Sequence, residues 1–447
     1  MQDCHKSQKI AICMVGLPAR GKTYISRKLH RYLNWLGYNC KVFNIGNYRR
    51  EICGTECDKT FFDSKNEQAT KARNECAQMA LNDLISFLNS DGEIAIFDGT
   101  NTTKQRRNMV QCSLSQQCQN VQTLWIESIC DDADVIQNNI RLTKLNNPDY
   151  VSMNPEDATK DFLGRIRMYE EVYQKIELDE NLSFIKLINI GEDIQIHKVK
   201  GYLLSKIISY LMNLHIYPRP IYLTRHGGST FNQENRVGGD CDLSQQGIQY
   251  SEQLGKFLLD EFPTQEKRNQ IHCLTSTMKR ATQTADIVCN ILKINYLQLK
   301  TLDEINVGIC DGLTYTQIAI QFPEDFAQRK VNKLTYRYPR GESYLDLISR
   351  IEPIIYEIER SREPVLVIGH QAILRCLYAY FHRNEISEVP QLEIPIHAII
   401  KLTPAAYYCE EIRIRIDPET GERKQIEEYL QYERVNLLTK KKSYILL

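Results

Sequence analysis

The stretch Ile10-Ala11-Ile12-Cys13-Met14-Val15-Gly16-Leu17-Pro18-Ala19-Arg20-Gly21-Lys22-Thr23 decides how the first half of this chain folds. An apolar run of strand length leads straight into a complete GxxxxGK[ST] motif, and Thr23 to Leu36 then places its apolar residues at helical spacing. Strand, glycine loop and helix in that order make a phosphate cradle. Gly16 and Gly21 let backbone N–H groups close on a polyphosphate, and the helix N-terminus adds the positive end of its dipole. The Lys22 ammonium reaches the terminal phosphates, and the Thr23 hydroxyl can ligate magnesium, so the expected ligand is ATP with Mg2+.

Outward from the loop, short apolar runs alternate with longer amphipathic stretches: Cys40 to Ile45, and later Ile94 to Phe97. That alternation is the βαβ signature of a mostly parallel sheet. Tyr202 to Leu214 has a helical pattern that Tyr217-Pro218-Arg219-Pro220 cannot continue, because proline lacks a donor and restricts its predecessor. A domain boundary is placed there. The apolar run Ile221 to Thr224, the helical pattern Ile348 to Ile358 and a further run Val365 to Ile368 give the second half an α/β reading too. The expected architecture is two α/β domains, a P-loop domain with a mostly parallel sheet over residues 1–217 and a second α/β domain over 218–416. A charged tail over 417–447 follows, turn-like from Asp417 to Arg423 and ending in the Lys440-Lys441-Lys442 run.

With 447 residues and 42% of them hydrophobic, the chain can fill two cores. Lysine plus arginine and aspartate plus glutamate both count 56, so there is no net charge to favour nucleic acid, and small anions must be met by local basic clusters. The 15 cysteines show no zinc spacing and suit reduced thiols in a cytoplasmic protein. Met1 to Gln8 is short and polar, and no apolar run approaches a membrane span, so no targeting or membrane partner is expected.

Two further features carry chemistry. Ile94 to Phe97 delivers Asp98, then Gly99-Thr100-Asn101, putting a carboxylate where magnesium or an attacking hydroxyl needs one; the plainer reading is that Asp98 starts a turn. In the second half, one strand ends in Arg225-His226-Gly227 and another in Gly369-His370-Gln371. Side chains at the carboxyl ends of neighbouring strands converge on one crevice, so the two histidines can meet. Either alone is more often a structural residue.

The RHG motif after a strand, with a distant second histidine after another, resembles the histidine phosphatase superfamily that includes the phosphoglycerate mutases. Between them, Ser276 to Ala285 supplies Arg280 at a helix start, and Leu302-Asp303-Glu304-Ile305 supplies a carboxylate. The resemblance implies attack by neutral His226 on a phosphate, with Arg225, Arg280 and His370 stabilising charge and Glu304 serving first as acid, then as base. No metal is expected in this half.

The first half, from Gly16 through Tyr32-Leu33-Asn34-Trp35, Val42 to Arg50 and Phe97-Asp98-Gly99-Thr100-Asn101, resembles the bifunctional 6-phosphofructo-2-kinase/fructose-2,6-bisphosphatase family. Tyr336 to Tyr344 and His370 to Cys376 extend that resemblance through the second half. By it, Arg49, Arg73, Thr100, Arg106, Arg165 and Tyr169 would hold fructose 6-phosphate. Asn139 to Lys144 would line ATP, with the Lys144 ammonium near the transferring phosphoryl group, and Asp98 and Cys130 would be active-site residues. Without the resemblance, each arginine reads as a surface ion-pair partner and Cys130 as a buried thiol. Asn232, Gly238, Tyr315, Arg329, Lys333, Tyr344, Gln371 and Arg375 would contact fructose 2,6-bisphosphate, although Tyr315 and Tyr344 could equally be core tyrosines. Homodimerisation is implied by the resemblance alone.

The chain departs from that family at Gly228, where Glu usually follows RHG, so phosphatase turnover could be altered, and at Gly99, where alanine is usual and little consequence is expected. The competing readings are a kinase whose second domain only binds the bisphosphate and, from another class, a sensor that holds sugar phosphates and ATP without turnover.

Overall fold

The apolar run before the glycine loop forms β1 (Lys9–Val15), the centre of a six-stranded sheet with β2 (Cys40–Asn44), β3 (Ile94–Asp98), β4 (Val121–Ile129), β5 (Phe184–Ile188) and β6 (Asp193–His197). In this computed structural model, residues 9–55, 59–141, 149–150, 153–405 and 408–432 are described. The order is β2-β3-β1-β4-β5-β6, parallel throughout except for the antiparallel β5–β6 pair at one edge. Strands β1, β3 and β4 are buried almost along their whole length, as their continuous apolar runs require when both faces are covered. One core packs Phe43, Phe97 and Trp125 against Leu81, Leu84 and Leu88 of the helix Glu67–Asn89. The chain leaves β1 for β2 on one side and returns to β4 on the other, so the carboxyl ends of β1 and β3 open the crevice where such sheets bind ligands.

Asn44 ends β2 and its side chain caps the next helix by accepting the Asn47 N–H, so Ile45 begins the helix Ile45–Cys53 rather than ending the strand.

The chain divides into two compact units at His215 and Ile216. The second unit is built on a mixed seven-stranded sheet of β7 (Ile221–Arg225), β8 (His272–Thr275), β9 (Tyr296–Gln298), β10 (Val365–Gly369), β11 (Ala398–Pro404), β12 (Tyr408–Ile416) and β13 (Arg423–Tyr432), ordered β13-β12-β11-β7-β10-β8-β9. β7, β10, β8 and β9 run parallel; β11 to β13 are antiparallel. Tyr222, Tyr250, Phe257 and Leu366 anchor its core.

β13 corrects the expectation of a tail beginning at residue 417. Asp417 Oδ1 accepts N–H bonds from Glu419 and Thr420, and Gly421 takes a left-handed φ of 72°. The chain therefore reverses, and Arg423 pairs with Ile416. Residues 433–447, with the Lys440 to Lys442 run, lie outside the described residues. No helix among the described residues is long and apolar enough to cross a membrane.

Candidate functional sites

The glycine loop is pinned on several sides. Gly16 N donates to Thr100 O at 3.0 Å, joining the loop after β1 to that after β3. Gly16 has φ 137°, and a Cβ there would stand 2.5 Å from Ser128 O, so only glycine fits. Ser128 Oγ donates to Arg20 O, Asn139 Nδ2 to Ala19 O at 3.1 Å, and Lys22 Nζ to Leu17 O at 2.5 Å. Thr23 lies in the first turn of the helix Lys22–Trp35. Beside the loop, Asp98 is buried, and its Oδ2 accepts from Asn44 Nδ2 at 2.5 Å. Asn101 Nδ2 ties the following turn to Met14 O at 2.8 Å. Cys130 is a buried thiol whose pKa burial raises, so it does not present a ready thiolate. Lys144 lies outside the described residues.

The arginines expected to hold sugar phosphate do come together. Phe62 is their hub: the Arg165 guanidinium lies 3.7 Å over its ring, Arg49 5.8 Å, and the Tyr169 ring is centred 6.0 Å away. Arg73 donates to Phe61 O and, at 2.8 Å, to Thr70 Oγ1; Arg106 donates to Asn74 Oδ1. Burial lowers the pKa of both, opposed first by the Tyr169 hydroxyl, and each also feels a neighbouring guanidinium. Asp149 sits among them, with Oδ2 2.5 Å from Arg49 Nη2, 3.7 Å from Arg50 Nη1 and 3.8 Å from Arg165 Nη1. Three guanidiniums share the Asp149 carboxylate, and Arg73 and Arg106 stand beside Tyr169 and one another, so the cluster carries excess positive charge in forks that match a phosphate. Sequence reasoning missed Phe61, Phe62, Arg50 and Asp149; only the Asn47-Tyr48-Arg49-Arg50 doublet hinted at the second arginine.

In the second unit β7 and β10 are adjacent and parallel, with Arg225 opposite Gly369, so His226 and His370 leave the sheet side by side. Their rings are 5.0 Å apart, and both are buried. His226 Nδ1 carries its proton toward Gly227 O at 2.6 Å, and Nε2 accepts from Arg280 Nε at 3.1 Å. That pair of bonds describes a neutral imidazole with its lone pair on Nε2. Burial, then the Arg280 and Arg225 guanidiniums, hold His226 well below the usual histidine range. Burial, then His226 and the two guanidiniums, do the same for His370. Ser276 Oγ meets His370 Nε2 at 2.8 Å, while the buried His370 Nδ1 has no partner among the described residues.

The loop carrying His226 is fixed through its main chain. Gly227 N donates to Thr284 Oγ1 at 3.0 Å, and Ser244 donates to Gly228 O from both N and Oγ. Ser229 N donates to Asn232 Oδ1 at 3.0 Å, and Asn232 is thus a loop support. A Cβ at Gly227 would collide with Gly247 O, and one at Gly247 with Gly228 O. At Gly228 no carboxylate stands; the His397 imidazole packs there, Nε2 accepting the Gly228 N–H at 3.2 Å. Thr284, Ser276, Ser244, Gly247 and His397 escaped the sequence reading, although Ser276 and Thr284 lie within the stretch that flagged Arg280.

Glu304 accepts from Ala372 N at 3.2 Å, which sets it at the start of the helix carrying Arg375, and Arg350 braces its loop through Asp303 O at 2.9 Å. Gln371 opens the same helix. Arg375 donates to Tyr344 OH at 2.9 Å and to Leu392 O at 2.6 Å, while Lys333 Nζ donates to Pro390 O at 3.4 Å. Burial, then Arg375 and Arg329, push the Lys333 ammonium down to about 8. Arg329 lies 4.9 Å over Tyr338, whose hydroxyl also feels Tyr315. Tyr315 is exposed, at 54%. Gly238 takes a left-handed φ of 73° next to Gly239, whose carbonyl accepts from Arg280 Nη1 at 2.7 Å.

Residues 1–218 match the family described as 6-phosphofructo-2-kinase, and 221–416 match the histidine phosphatase superfamily, branch 1. The chain is 46% identical over 405 residues to 6-phosphofructo-2-kinase/fructose-2,6-bisphosphatase of Aquarana catesbeiana, covering 89% of this chain and 83% of that one. It is 44% identical over 420 residues to the protein of the same name from Caenorhabditis elegans, covering 92% and 90%. A third relative, 6-phosphofructo-2-kinase/fructose-2,6-bisphosphatase 3 of Rattus norvegicus, is 44% identical over 422 residues, covering 93% and 74%.

Proposed function

The chain belongs to the 6-phosphofructo-2-kinase/fructose-2,6-bisphosphatase family, and from that premise we propose which residues carry each half of its two reactions. It is a bifunctional enzyme, with a kinase domain followed by a histidine phosphatase domain. The kinase makes fructose 2,6-bisphosphate from fructose 6-phosphate and ATP, and the phosphatase removes the 2-phosphate.

In the kinase, Arg49 and Arg165, which lie over Phe62, together with Arg73 and Arg106 take the 6-phosphate of the sugar and displace the hold of Asp149 on Arg49 and Arg165. Gly16, Gly21, Lys22 and Thr23 hold the ATP polyphosphate, with Asn139 keeping the loop in place and Lys144 as a further cation. The O2 oxygen of the sugar attacks the terminal phosphorus, the bond to the ADP oxygen breaks, and Asp98 receives the hydroxyl proton. Positioning and charge neutralisation by Lys22 supply most of the catalysis. Thr23 Oγ1, in the first turn after the glycine loop, and the nucleotide phosphates would hold a magnesium ion, which would neutralise charge on the transferring group.

In the phosphatase, the observation that carries the reading is the buried neutral His226 whose Nε2 lone pair is held by Arg280 beside His370. Nε2 attacks the phosphorus of the 2-phosphate and the P–O2 bond breaks, giving phosphohistidine. Arg225, Arg280 and His370 hold the equatorial oxygens, and Glu304 donates a proton to the leaving O2. Water then attacks phosphorus, Glu304 takes its proton, the P–Nε2 bond breaks to return the lone pair to His226, and inorganic phosphate leaves. Arg375, Lys333, Arg329 and Tyr344 receive the remaining phosphate, with Asn232, Gly238, Tyr315 and Gln371 at the margin. Assembly as a homodimer and a cytoplasmic location complete this reading, the first checked by light scattering of the purified protein.

Incubating the protein with fructose 2,6-bisphosphate labelled at the 2-phosphate tests the assignment. Acid-labile label on the wild type, absent from His226→Ala, with release of fructose 6-phosphate, is the expected result. A wild type that neither labels nor hydrolyses would leave a kinase with a binding-only second domain.

A further inference from the structure

One peptide unit in the phosphatase domain lies between two imidazoles. The carbonyl of Gly227 accepts the Nδ1–H of His226 at 2.6 Å, and the N–H at the other end of that unit, on Gly228, donates to His397 Nε2 at 3.2 Å. His397 is held for this contact from behind. Its backbone has a left-handed φ of 55°, unusual for a side chain of this size, and its carbonyl accepts from Ile416 N at 3.0 Å. Its ring lies 4.9 Å from Tyr250, whose hydroxyl is fixed by Thr224 Oγ1 at 2.6 Å and Ala398 O at 3.2 Å. The groups facing it are Arg225, Arg415 and Asp417; burial and the two guanidiniums outweigh the carboxylate and push the imidazole down to about 4, so it is neutral at pH 7 and able to accept. A Cβ at residue 228 would stand 3.2 Å from His397 Nε2, so glycine there lets the ring approach the amide.

We propose that His397 is a positioning residue for phosphoryl transfer: by accepting the Gly228 N–H it polarises the Gly227 carbonyl, which holds His226 in the Nδ1–H form with Nε2 left to attack phosphorus. Hydrogen bonds in a chain strengthen one another, and an amide transmits the effect because its N–H and C=O share one resonance system. The positive charge that develops on His226 as phosphohistidine forms is then met at Nδ1–H by a stronger acceptor than an isolated carbonyl. The role matches that of the partner that orients an imidazole elsewhere in catalysis, with a main-chain carbonyl in place of a carboxylate.

The inference rests on His226 being the phosphoryl acceptor. The test compares the full-length wild type with His397→Phe, which keeps a ring against Tyr250 but cannot accept, and His397→Gln, whose carboxamide oxygen can. Phosphoenzyme formation from the labelled bisphosphate is measured relative to the kinase activity of the same preparation. The downfield proton resonance of His226 Nδ1–H, assigned by its loss in His226→Gln, is followed alongside. The expected result is a phosphoenzyme rate lowered about tenfold in His397→Phe, the size of one lost hydrogen bond, with the resonance moved upfield, and substantial recovery of both in His397→Gln. A His397→Phe protein with wild-type rate and resonance overturns the proposal. So does an equal loss in both variants with the resonance in place, which marks a packing role. Absence of label from the wild type would instead sink the phosphohistidine reading itself, a result distinct from labelling that is indifferent to residue 397.

Discussion

The kinase pocket and the phosphatase pocket both handle a phosphoryl group, yet they are built on opposite plans. Around Phe62, Asp149 and Tyr169 the kinase gathers five arginines, all carried on helices, because its nucleophile is a sugar hydroxyl and the protein supplies mainly charge and position. If His226 takes up the phosphoryl group, as proposed, the phosphatase must keep a nucleophile of its own. His226 is buried and neutral, tethered at Nδ1 by its neighbour's carbonyl, and two arginines near it also hold its pKa down. Where the nucleophile comes from thus decides whether cations merely bind the substrate or also tune a side chain.

The sharpest way to break that contrast is to cross the two sites. Asp98→Ala should lower kinase turnover by roughly 10^3-fold while leaving phosphohistidine formation intact, and His226→Ala should do the reverse. Parallel assays of both activities on each variant decide it; a shared loss would mean that the units do not work separately. Next in size, Arg49→Lys should raise the KM for fructose 6-phosphate by about tenfold with kcat little changed, because an ammonium replaces a fork in a binding role. A fall in kcat alone would move Arg49 from binding to chemistry.

A smaller effect is expected from pH. The Lys333 ammonium is present below about 8 and lost above it, so kcat/KM for fructose 2,6-bisphosphate should fall as pH rises through that value. Lys333→Arg should retain the activity at pH 9, and an unchanged alkaline limb in that variant would free Lys333 of the role. Smallest of all, Gly99→Ala should change stability by no more than about 1 kcal/mol in urea unfolding. The added methyl meets the mobile end of Ile45 rather than backbone.

What could be read from the chain and what could not divide along the same physical line. Gly16 to Thr23, Asp98, Arg225-His226-Gly227 and His370 each stand at the end of an apolar run, so local pattern and chemistry coincide in a few consecutive residues. Phe62, Asp149, Thr284 and His397 act through contacts between distant segments and carry no local signature. The turn from Asp417 to Arg423 is legible in the sequence, but the charged residues after it hide the pairing that makes β13 a strand. Asn44 shows the converse, a polar residue in an apolar run that stops a strand by capping a helix.

The back-to-back contact of Gly227 and Gly247 leaves no slack between the His226 loop and the helix Gln245–Glu261. In a saturation-mutagenesis survey scored on phosphatase activity, residue 247 should therefore stand out as a cold spot within a helix that touches no substrate, tolerating a single amino acid. Its intolerance would report a spacing measured in main-chain atoms, which a map of substrate contacts would pass over.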